Sequence, residues 1–197
     1  MRHFDSILVA NRGEIAVRVI RSARQLGYRT IAVHSEADAR APHVLMADEA
    51  VLIGAASVKE SYLDSGKILS AARKTGARAI HPGYGFLSEN AQFARACADA
   101  GIVFIGPSPE AIHLMGNKGA SKRRMLEAAV PCIPGYQGED QSDQALLAAA
   151  REIGVPIMVK AAAGGGGRGM RLVTNQEALP EALASARSEA ENAFGSG

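Results

Sequence analysis

Short apolar runs alternate with amphipathic segments over the first hundred positions of the chain. The runs predict five buried strands, at Ser6–Asn11, Thr30–His34, Ala50–Ile53, Ala77–His81 and Ile102–Gly106. Between them, Glu14–Leu26 has apolar residues at helical spacing on one face and arginines on the other, and Tyr62–Thr75 and Asn90–Ala100 repeat this arrangement. Near-continuously apolar strands joined by helices predict an α/β fold with a doubly wound parallel sheet, covered on both faces.

The pattern changes after residue 106. Residues 107–129 predict two short helices, and residues 130–138 (VPCIPGYQG) are typical of a turn or linker. A helix, two strands and a last helix are then predicted at Ser142–Ile153, Pro156–Ala161, Met170–Thr174 and Gln176–Ala193. We therefore expect an N-terminal domain at 1–106, connecting helices at 107–130 and a small, truncated α+β subdomain at 131–197.

Composition and charge exclude several classes of function. With 22 Lys+Arg against 20 Asp+Glu, the net charge of +2 gives no electrostatic footprint for nucleic acid or an anionic membrane. No uncharged apolar stretch approaches the roughly 18 residues of a membrane span, and the N-terminus lacks the apolar region of a signal peptide. Cys97 and Cys132 form neither a CxxC pair nor a His-spaced cluster. A reduced cytoplasmic or organelle-matrix protein is expected.

A glycine-rich loop between the last two predicted strands is the strongest chemical signal. It contains four consecutive glycines, Gly164, Gly165, Gly166 and Gly167. Glycines allow backbone N–H groups to approach an anion closely, and Lys160 before the run and Arg168 after it add positive charge. A flexible hairpin tip is the alternative, but such a tip needs neither cation. The pattern favours a phosphate-binding loop.

Two familiar nucleotide-binding motifs are missing from the sequence. There is no G-x-x-x-x-G-K-[ST], because the lysine precedes the glycines. The first strand–helix turn, at residues 11–16, has one glycine where a dinucleotide fingerprint has three. Glu36 and Asp38 follow the second predicted strand, where a ribose-binding acid would lie, but without the glycines we interpret them as solvated. An NAD-dependent oxidoreductase is therefore disfavoured.

A polar segment, residues 81–90 (HPGYGFLSEN), follows the fourth predicted strand. It combines His81, Tyr84 and Glu89 with two glycines at the carboxyl end of that strand, where open α/β sheets bind ligands. Taken singly, each residue has a structural explanation. His81 would be a core histidine, Tyr84 a packing ring and Glu89 a charge in the first turn of a helix. Ser88 or Asn90 is the expected helix N-cap. Together these residues favour a functional loop.

A basic stretch at residues 115–124 (MGNKGASKRR) is the last candidate. Such charge runs usually form a solvated helix face. Lys118 lies between two glycines and is the residue that we expect to contact a ligand. Lys122, Arg123 and Arg124 are interpreted as surface residues.

Six segments of the chain together resemble a known family. They occur in the order ANRGEIAVRVIR, AVHSEAD, HPGYGFLSEN, GPSPEAIHLMGNK, VPCIPGY and MVKAAAGGGGRGMR. This series closely resembles the N-terminal part of biotin carboxylase, the ATP-grasp component of biotin-dependent carboxylases, over residues 4–197. The resemblance implies a Rossmann-like pre-ATP-grasp domain, connecting helices and a truncated ATP-grasp flap. It also implies that ATP phosphorylates bicarbonate to carboxyphosphate, whose CO₂ passes to biotin on a carrier domain.

The resemblance also implies roles for particular residues. The family's ATP contacts fall on Lys118, Lys160, the loop Gly164–Gly167 and Met170. The two lysines would bind phosphate oxygens and offset charge as the γ-phosphoryl group moves, and the glycine loop would close over the phosphates. Tyr84 and Glu89 would face the bicarbonate and biotin side.

The rest of the implied machinery is not assigned to residues of this chain. In the family the ligands of Mg²⁺ (or Mn²⁺), the bicarbonate-holding arginine, the general base and the adenine contacts lie downstream of the flap. We therefore expect the chain alone to bind ATP weakly and to turn nothing over. The implied partners are a biotin carrier domain, a carboxyltransferase subunit or domain and, for the full-length protein, a second copy in a homodimer.

Three questions stay open at this point, and the first is the oligomeric state. The acyl substrate, which the carboxyltransferase chooses, is an acetyl-, propionyl-, methylcrotonyl- or geranyl-CoA, or pyruvate. The implied compartment is the cytoplasm in bacteria or the mitochondrial matrix in eukaryotes. The alternative of another class is a freestanding nucleotide-binding or regulatory module that has kept the fold and lost the chemistry.

Overall fold

The structure, a computed structural model, describes residues 4–161 and 169–194. The chain divides into two compact units, Met1–His113 and Leu114–Gly197. Each unit has its own sheet, of five strands in the first and two in the second. The two units are described separately below.

The first unit alternates strands with helices. Its strands are β1 (Ser6–Val9), β2 (Arg29–Ser35), β3 (Glu49–Gly54), β4 (Ala79–His81) and β5 (Val103–Phe104). Its helices are α1 (Gly13–Gln25), α2 (Pro42–Met46), α3 (Ser65–Thr75) and α4 (Ala91–Asp99), and α5 (Pro109–Gly116) runs on into the second unit. All five predicted strands are confirmed, with ends that differ by a few residues. Helix α2 was not predicted because five residues are too few to show helical periodicity.

The five strands form a parallel sheet in the order β3-β2-β1-β4-β5. The register places Leu8 of β1 beside Ile31 of β2 and Ile80 of β4. These three side chains point to one face and pack with α3 and α4, whereas Ile7 and Val9 point to the other face and pack with α1. The doubly wound architecture, with helices on both faces of the sheet, is confirmed.

Local side-chain hydrogen bonds set the ends of the helices in the first unit. Helix α3 begins where the Asp64 carboxylate accepts a hydrogen bond from the Lys67 N–H at 3.0 Å, three residues later than predicted, and it ends at Gly76, whose φ is +65°. Helix α4 begins where Asn90 Oδ1 accepts from the Phe93 N–H at 2.8 Å. Of the two expected N-caps, Asn90 is therefore the one used.

The second unit contains helices α6 (Lys118–Glu127), α7 (Asp143–Ile153) and α8 (Leu179–Phe194), and the strands β6 (Ile157–Lys160) and β7 (Met170–Val173). The strands pair in antiparallel fashion. Ile157, Val159 and Val173 on one face of this hairpin pack with residues of α7 and α8 in a small core. The predicted last helix is confirmed, except that its first turn, Gln176–Ala178, is a 3₁₀ turn ahead of α8.

Candidate functional site

A cleft opens at the carboxyl edge of the parallel sheet, where the strand order reverses. Strand β1 lies between β2 and β4, so the chain leaves β1 towards one side of the sheet and returns on the other. Open α/β sheets bind their ligands outside the strand ends at this switch point. The cleft measures about 440 Å³ and is lined by Asn11, Arg12, Gly13, Glu14, Ile15, Tyr84, Gly85 and Phe86. We call it the switch-point cleft.

The loop after β4 forms one wall of the switch-point cleft in an unusual backbone conformation. Gly83 and Gly85 both have φ of +69°, and Phe86 has φ of +44°. A left-handed conformation at a bulky residue costs of order 1–3 kcal/mol and persists only where the surroundings hold it. The Phe86 ring is stacked on the buried Tyr62 ring, with centroids 5.2 Å apart and planes at 8°. Packing on Tyr62 therefore holds the end of this loop.

Asn11 joins the β1–α1 turn to the same loop. Its side chain is buried, and Nδ2 donates hydrogen bonds to the carbonyl oxygens of Pro82 at 2.8 Å and of Tyr84 at 2.9 Å. Its Oδ1 accepts from the Arg12 N–H at 2.9 Å. The two sides of the cleft are thus connected by one buried carboxamide.

Tyr84 projects from this loop into solvent. Its side chain is 62% exposed, and its hydroxyl donates to the Glu14 carboxylate at 3.3 Å. His81 at the base of the loop accepts the Gly83 N–H on Nδ1 at 3.0 Å, and burial lowers the pKa of His81. Glu89 is exposed and is not among the residues that line the cleft. Of the three residues predicted in this segment, the structure therefore brings Tyr84 to the cleft, whereas His81 and Glu89 are not among its lining residues.

Arg12, which lines the cleft, is held in place by two rings and a carboxylate. Its guanidinium lies over the rings of Tyr62 and Phe86, at 5.5 and 5.9 Å from their centroids, and pairs with Asp38 at 3.3 Å. Asp38 also accepts hydrogen bonds from the Tyr62 hydroxyl at 2.7 Å and from the Ser35 hydroxyl at 2.8 Å. The interpretation of Asp38 as a solvated acid is wrong, because three side chains from three other segments bind its carboxylate.

These hydrogen bonds change the acid–base behaviour of the network. Burial raises the pKa of Asp38, but the hydrogen bonds from Tyr62, Ser35 and Arg12 outweigh burial and leave that pKa below its ordinary value. Burial and the hydrogen bond to Asp38 raise the pKa of Tyr62 to about 12. At neutral pH the network therefore contains an ionised Asp38 and a protonated Tyr62.

In the second unit, two residues that sequence analysis assigned to ATP lie side by side. Lys160, the last residue of β6, is the direct cross-strand partner of Met170, the first residue of β7. Met158 and Leu172 form the next pair on the same face, and all four side chains are exposed. One lysine therefore lies at the end of an apolar strip on the exposed face of the hairpin.

The structure says less about the other residues that sequence analysis assigned to ATP. Lys118 is the first residue of α6 and its side chain is exposed. The glycines of the loop, Gly164, Gly165, Gly166 and Gly167, lie outside the described residues, as do Ala163 and Arg168. At the two ends of that segment, the Ala161 N–H donates to the Gly169 carbonyl at 3.1 Å, so the ladder continues up to it.

An ATP complex needs a site for the nucleotide and a site for a metal ion, and the described residues fit the nucleotide but not the metal ion. A lysine beside an apolar strip suits a phosphate next to a flat purine ring. In residues 4–161 and 169–194, however, no group of three His, Cys, Asp or Glu side chains could hold a metal ion. The residues that the structure describes therefore provide no Mg²⁺ site of their own.

A doubly wound parallel sheet followed by a small α+β unit is the class of fold that this chain shares with solved biotin carboxylase structures. Residues 3–112, more than half of the 197, match the family described as "Biotin carboxylase, N-terminal domain", and the chain belongs to this family. Residues 117–197 match "Carbamoyl-phosphate synthase L chain, ATP binding domain". The resemblance found in the sequence is confirmed.

Relatives and solved structures agree with this assignment. The mitochondrial methylcrotonoyl-CoA carboxylase subunit alpha of Dictyostelium discoideum is 56% identical, over 99% of this chain and 28% of its own length. A biotin carboxylase of Nostoc sp. is 54% identical, over 98% of this chain and 43% of its own length. The chain therefore spans less than half of either relative.

Two crystal structures show the same fold. The biotin carboxylase–beta-gamma-ATP complex of Campylobacter jejuni has a TM-score of 0.94 and 50% identity, over 98% of this chain and 44% of that one. The biotin carboxylase domain dimer of Hydrogenobacter thermophilus 2-oxoglutarate carboxylase, in complex with MgADP, ADP and bicarbonate, has a TM-score of 0.93 and 48% identity. The match covers 100% of this chain and 43% of the Hydrogenobacter chain.

Sequence analysis did not single out Asn11 and Glu14 as site residues. Asn11 lies in the β1–α1 turn and Glu14 in the first turn of α1, and both line the switch-point cleft. The available signal was a polar residue directly after a buried strand, at the edge where such sheets bind ligands. It was overlooked because the turn was examined only for the glycines of a dinucleotide fingerprint.

Proposed function

We propose that this chain is the N-terminal part of a biotin carboxylase, which uses MgATP and bicarbonate, through carboxyphosphate, to carboxylate biotin on a carrier domain. The observation that carries the proposal is the match to biotin carboxylases along both units, with 54% identity to the Nostoc enzyme over 98% of the chain. The chemistry of the described residues supports a division of labour between the two units.

The second unit supplies the ATP side of this proposal. The exposed strip of Met158, Met170 and Leu172 offers an apolar surface to a purine, and Lys160 at its end places a positive charge where phosphate oxygens would lie. Lys118 is the second phosphate-binding lysine, and Gly164–Gly167 are the residues that close over the phosphates. A lysine ammonium offsets the charge that develops during phosphoryl transfer, with ATP supplying the phosphoryl group.

The first unit supplies the bicarbonate and biotin side. Tyr84 stands 62% exposed at the switch-point cleft, and its hydroxyl can both donate and accept a hydrogen bond. Both capacities suit a bicarbonate ion or the ureido group of biotin. Glu89, four residues after the Gly85 bend, is the second residue that we assign to this side.

The remaining features follow from the same proposal. We assign the domains to 1–106, 107–130 and 131–197, with ATP and Mg²⁺ or Mn²⁺ as cofactors and a carrier domain and a carboxyltransferase as partners. The full-length protein would form a homodimer, as the Hydrogenobacter domain does.

Among the described residues no helix could cross a membrane by its length and apolarity. The compartment would be the bacterial cytoplasm or the mitochondrial matrix, since mitochondrial and bacterial relatives both match.

The decisive experiment uses the natural polypeptide that contains this chain. Its intact mass is measured first, and its ADP release is then assayed with and without bicarbonate and free biotin. Bicarbonate-dependent, biotin-stimulated ADP release by a polypeptide well above 20.5 kDa is expected. ATP binding without such turnover would support the regulatory-module alternative and contradict the proposal.

A further inference from the structure

We propose that Asn11 is a positioning residue, which holds the loop after β4 so that the Tyr84 phenol stands at a fixed place in the switch-point cleft. This inference rests on the proposed function, in which Tyr84 faces bicarbonate and biotin. Asn11 itself is buried beneath the loop and acts through Tyr84.

The hydrogen bonds of Asn11 require a carboxamide. Both Nδ2 hydrogens are used, one on the Pro82 carbonyl and one on the Tyr84 carbonyl, while Oδ1 accepts from the Arg12 N–H. Aspartate would place an anionic oxygen against the two carbonyls, and leucine would have nearly the same shape without any hydrogen bond. Because Asn11 is only 3% exposed and its hydrogen bond to Pro82 is buried, leucine would leave the Pro82 carbonyl unpaired. It would also release the partly buried Tyr84 carbonyl from the sheet side of the loop.

The loop also packs directly against the Asn11 side chain. A Cβ atom added at Gly83 would lie 2.6 Å from Asn11 Nδ2 and 3.0 Å from Asn11 Cβ and Cγ. The backbone approaches this closely only because residue 83 is glycine. Gly83 therefore belongs to the same contact as Asn11, and either residue can be changed to disturb it.

Two residues, one in the β1–α1 turn and one in the first turn of α1, bind Tyr84 at its two ends. Asn11 binds the Tyr84 carbonyl, and Glu14, three residues further on, binds the Tyr84 hydroxyl at 3.3 Å. The turn follows β1, which is paired with β4 in the sheet and whose next residue, Ala10, donates to the His81 carbonyl at 2.9 Å. The position of the phenol is thus fixed relative to the sheet, and small displacements of such groups are costly for reaction rates.

The test is a double-mutant cycle in the natural polypeptide that contains this chain. Asn11→Leu is assayed for free-biotin-stimulated ADP release, alone and together with Tyr84→Ala. We expect Asn11→Leu to raise KM for biotin about 10-fold with KM for ATP changed by less than about 2-fold. In the Tyr84→Ala background the same change should alter KM for biotin by less than about 2-fold, because Asn11 acts only through Tyr84.

A second variant reaches the same contact from the loop. Gly83→Ala should raise KM for biotin as Asn11→Leu does, because the new methyl group pushes the loop away from Asn11. Gly76→Ala is the matched control, since Gly76 has a similar φ of +65° with nothing within 4 Å of the added Cβ and lies at the end of α3. It carries the same backbone strain and should leave KM for biotin unchanged. If Asn11→Leu does not fold, this pair decides the question.

The outcomes separate this inference from the proposed function. A wild-type polypeptide without biotin-stimulated ADP release would overturn the proposed function and this inference with it. An active wild type in which neither Asn11→Leu nor Gly83→Ala alters KM for biotin would overturn the inference alone. So would equal fold-changes in the presence and absence of the Tyr84 ring, because they would show a purely structural role for Asn11.

Discussion

Lys160 and Met170 face each other across the β6–β7 hairpin as direct cross-strand partners. The ladder continues one step further, since the Ala161 N–H donates to the Gly169 carbonyl at 3.1 Å. Ten positions apart in the sequence, the two residues therefore present a cation and a thioether on one exposed face. This is the part of the second unit that we assign to ATP.

The first prediction concerns the charge on this face. Lys160→Gln in the natural polypeptide should weaken ATP binding by about 10-fold or more, because a charge-assisted hydrogen bond to phosphate is lost. Lys74→Gln is the control, since Lys74 is an equally exposed lysine in the last turn of α3. Calorimetric titration with ATP measures both variants. Equal affinities for wild type and Lys160→Gln would remove Lys160 from the ATP site.

The second prediction concerns pH. Burial lowers the pKa of His43 and of His81 from the ordinary value of 6.5. For His43, the Val33 carbonyl and the Asp38 charge oppose this effect without cancelling it. Below pH 6.5 the unfolded chain therefore binds more protons than the folded chain. The stability that the neutral histidines provide is complete above about pH 6.5 and is lost as the pH falls through their folded pKa values.

Urea unfolding of the 197-residue chain between about pH 5 and pH 8 measures this effect. His43→Leu should flatten the acid side of the stability curve, because one of the two titrating groups is gone. His113→Gln is the control, since it removes an exposed histidine of α5 in place of a buried one. Stability that is independent of pH between 5 and 6.5 would contradict the prediction.

Most of the fold could be predicted from the sequence because each strand and helix shows its buried positions in its own run of residues. Strands β1, β2 and β4 are covered on both faces, so they appear as continuous apolar runs, and α1 repeats its apolar positions at helical spacing. The start of α3 was placed three residues early because Tyr62 fits the helical pattern, although its ring is used for packing under Phe86 and its hydroxyl for binding Asp38.

The candidate site was less predictable because its contacts join distant parts of the chain. Asn11 is separated from Pro82 by 71 residues and from Tyr84 by 73, and Arg12 is separated from Asp38 by 26. Such partners can be identified only once the strand order places β1 beside both β2 and β4. Motifs indicated the candidate segments, whereas topology decides which side chains meet.

The third prediction tests the buried network behind the cleft. Tyr62→Phe removes the hydroxyl that donates to Asp38 at 2.7 Å and accepts the Ser35 N–H at 3.1 Å, in a side chain with no exposed surface. The buried Ser35 and the partly buried Asp38 each lose a hydrogen bond, so we expect a loss of about 1–3 kcal/mol of unfolding free energy. Tyr136→Phe removes an exposed hydrogen bond to the Asp140 carbonyl and should cost less than about 0.5 kcal/mol. Similar costs for the two variants would show that the network contributes little stability.

The fourth prediction uses the two thiols as probes of the folded state. Cys97 lies on the buried face of α4 with no exposed surface, and burial raises its pKa to about 11. Cys132 is half-buried in the segment between α6 and α7. Because the thiolate is the reactive form, one thiol per chain should react rapidly with a chromogenic disulfide reagent at about pH 8, and the second only after unfolding in urea. Cys132→Ser should abolish the rapid phase and leave the slow one. Two rapidly reacting thiols in the native chain would show that the core around α4 opens far more readily than its packing indicates.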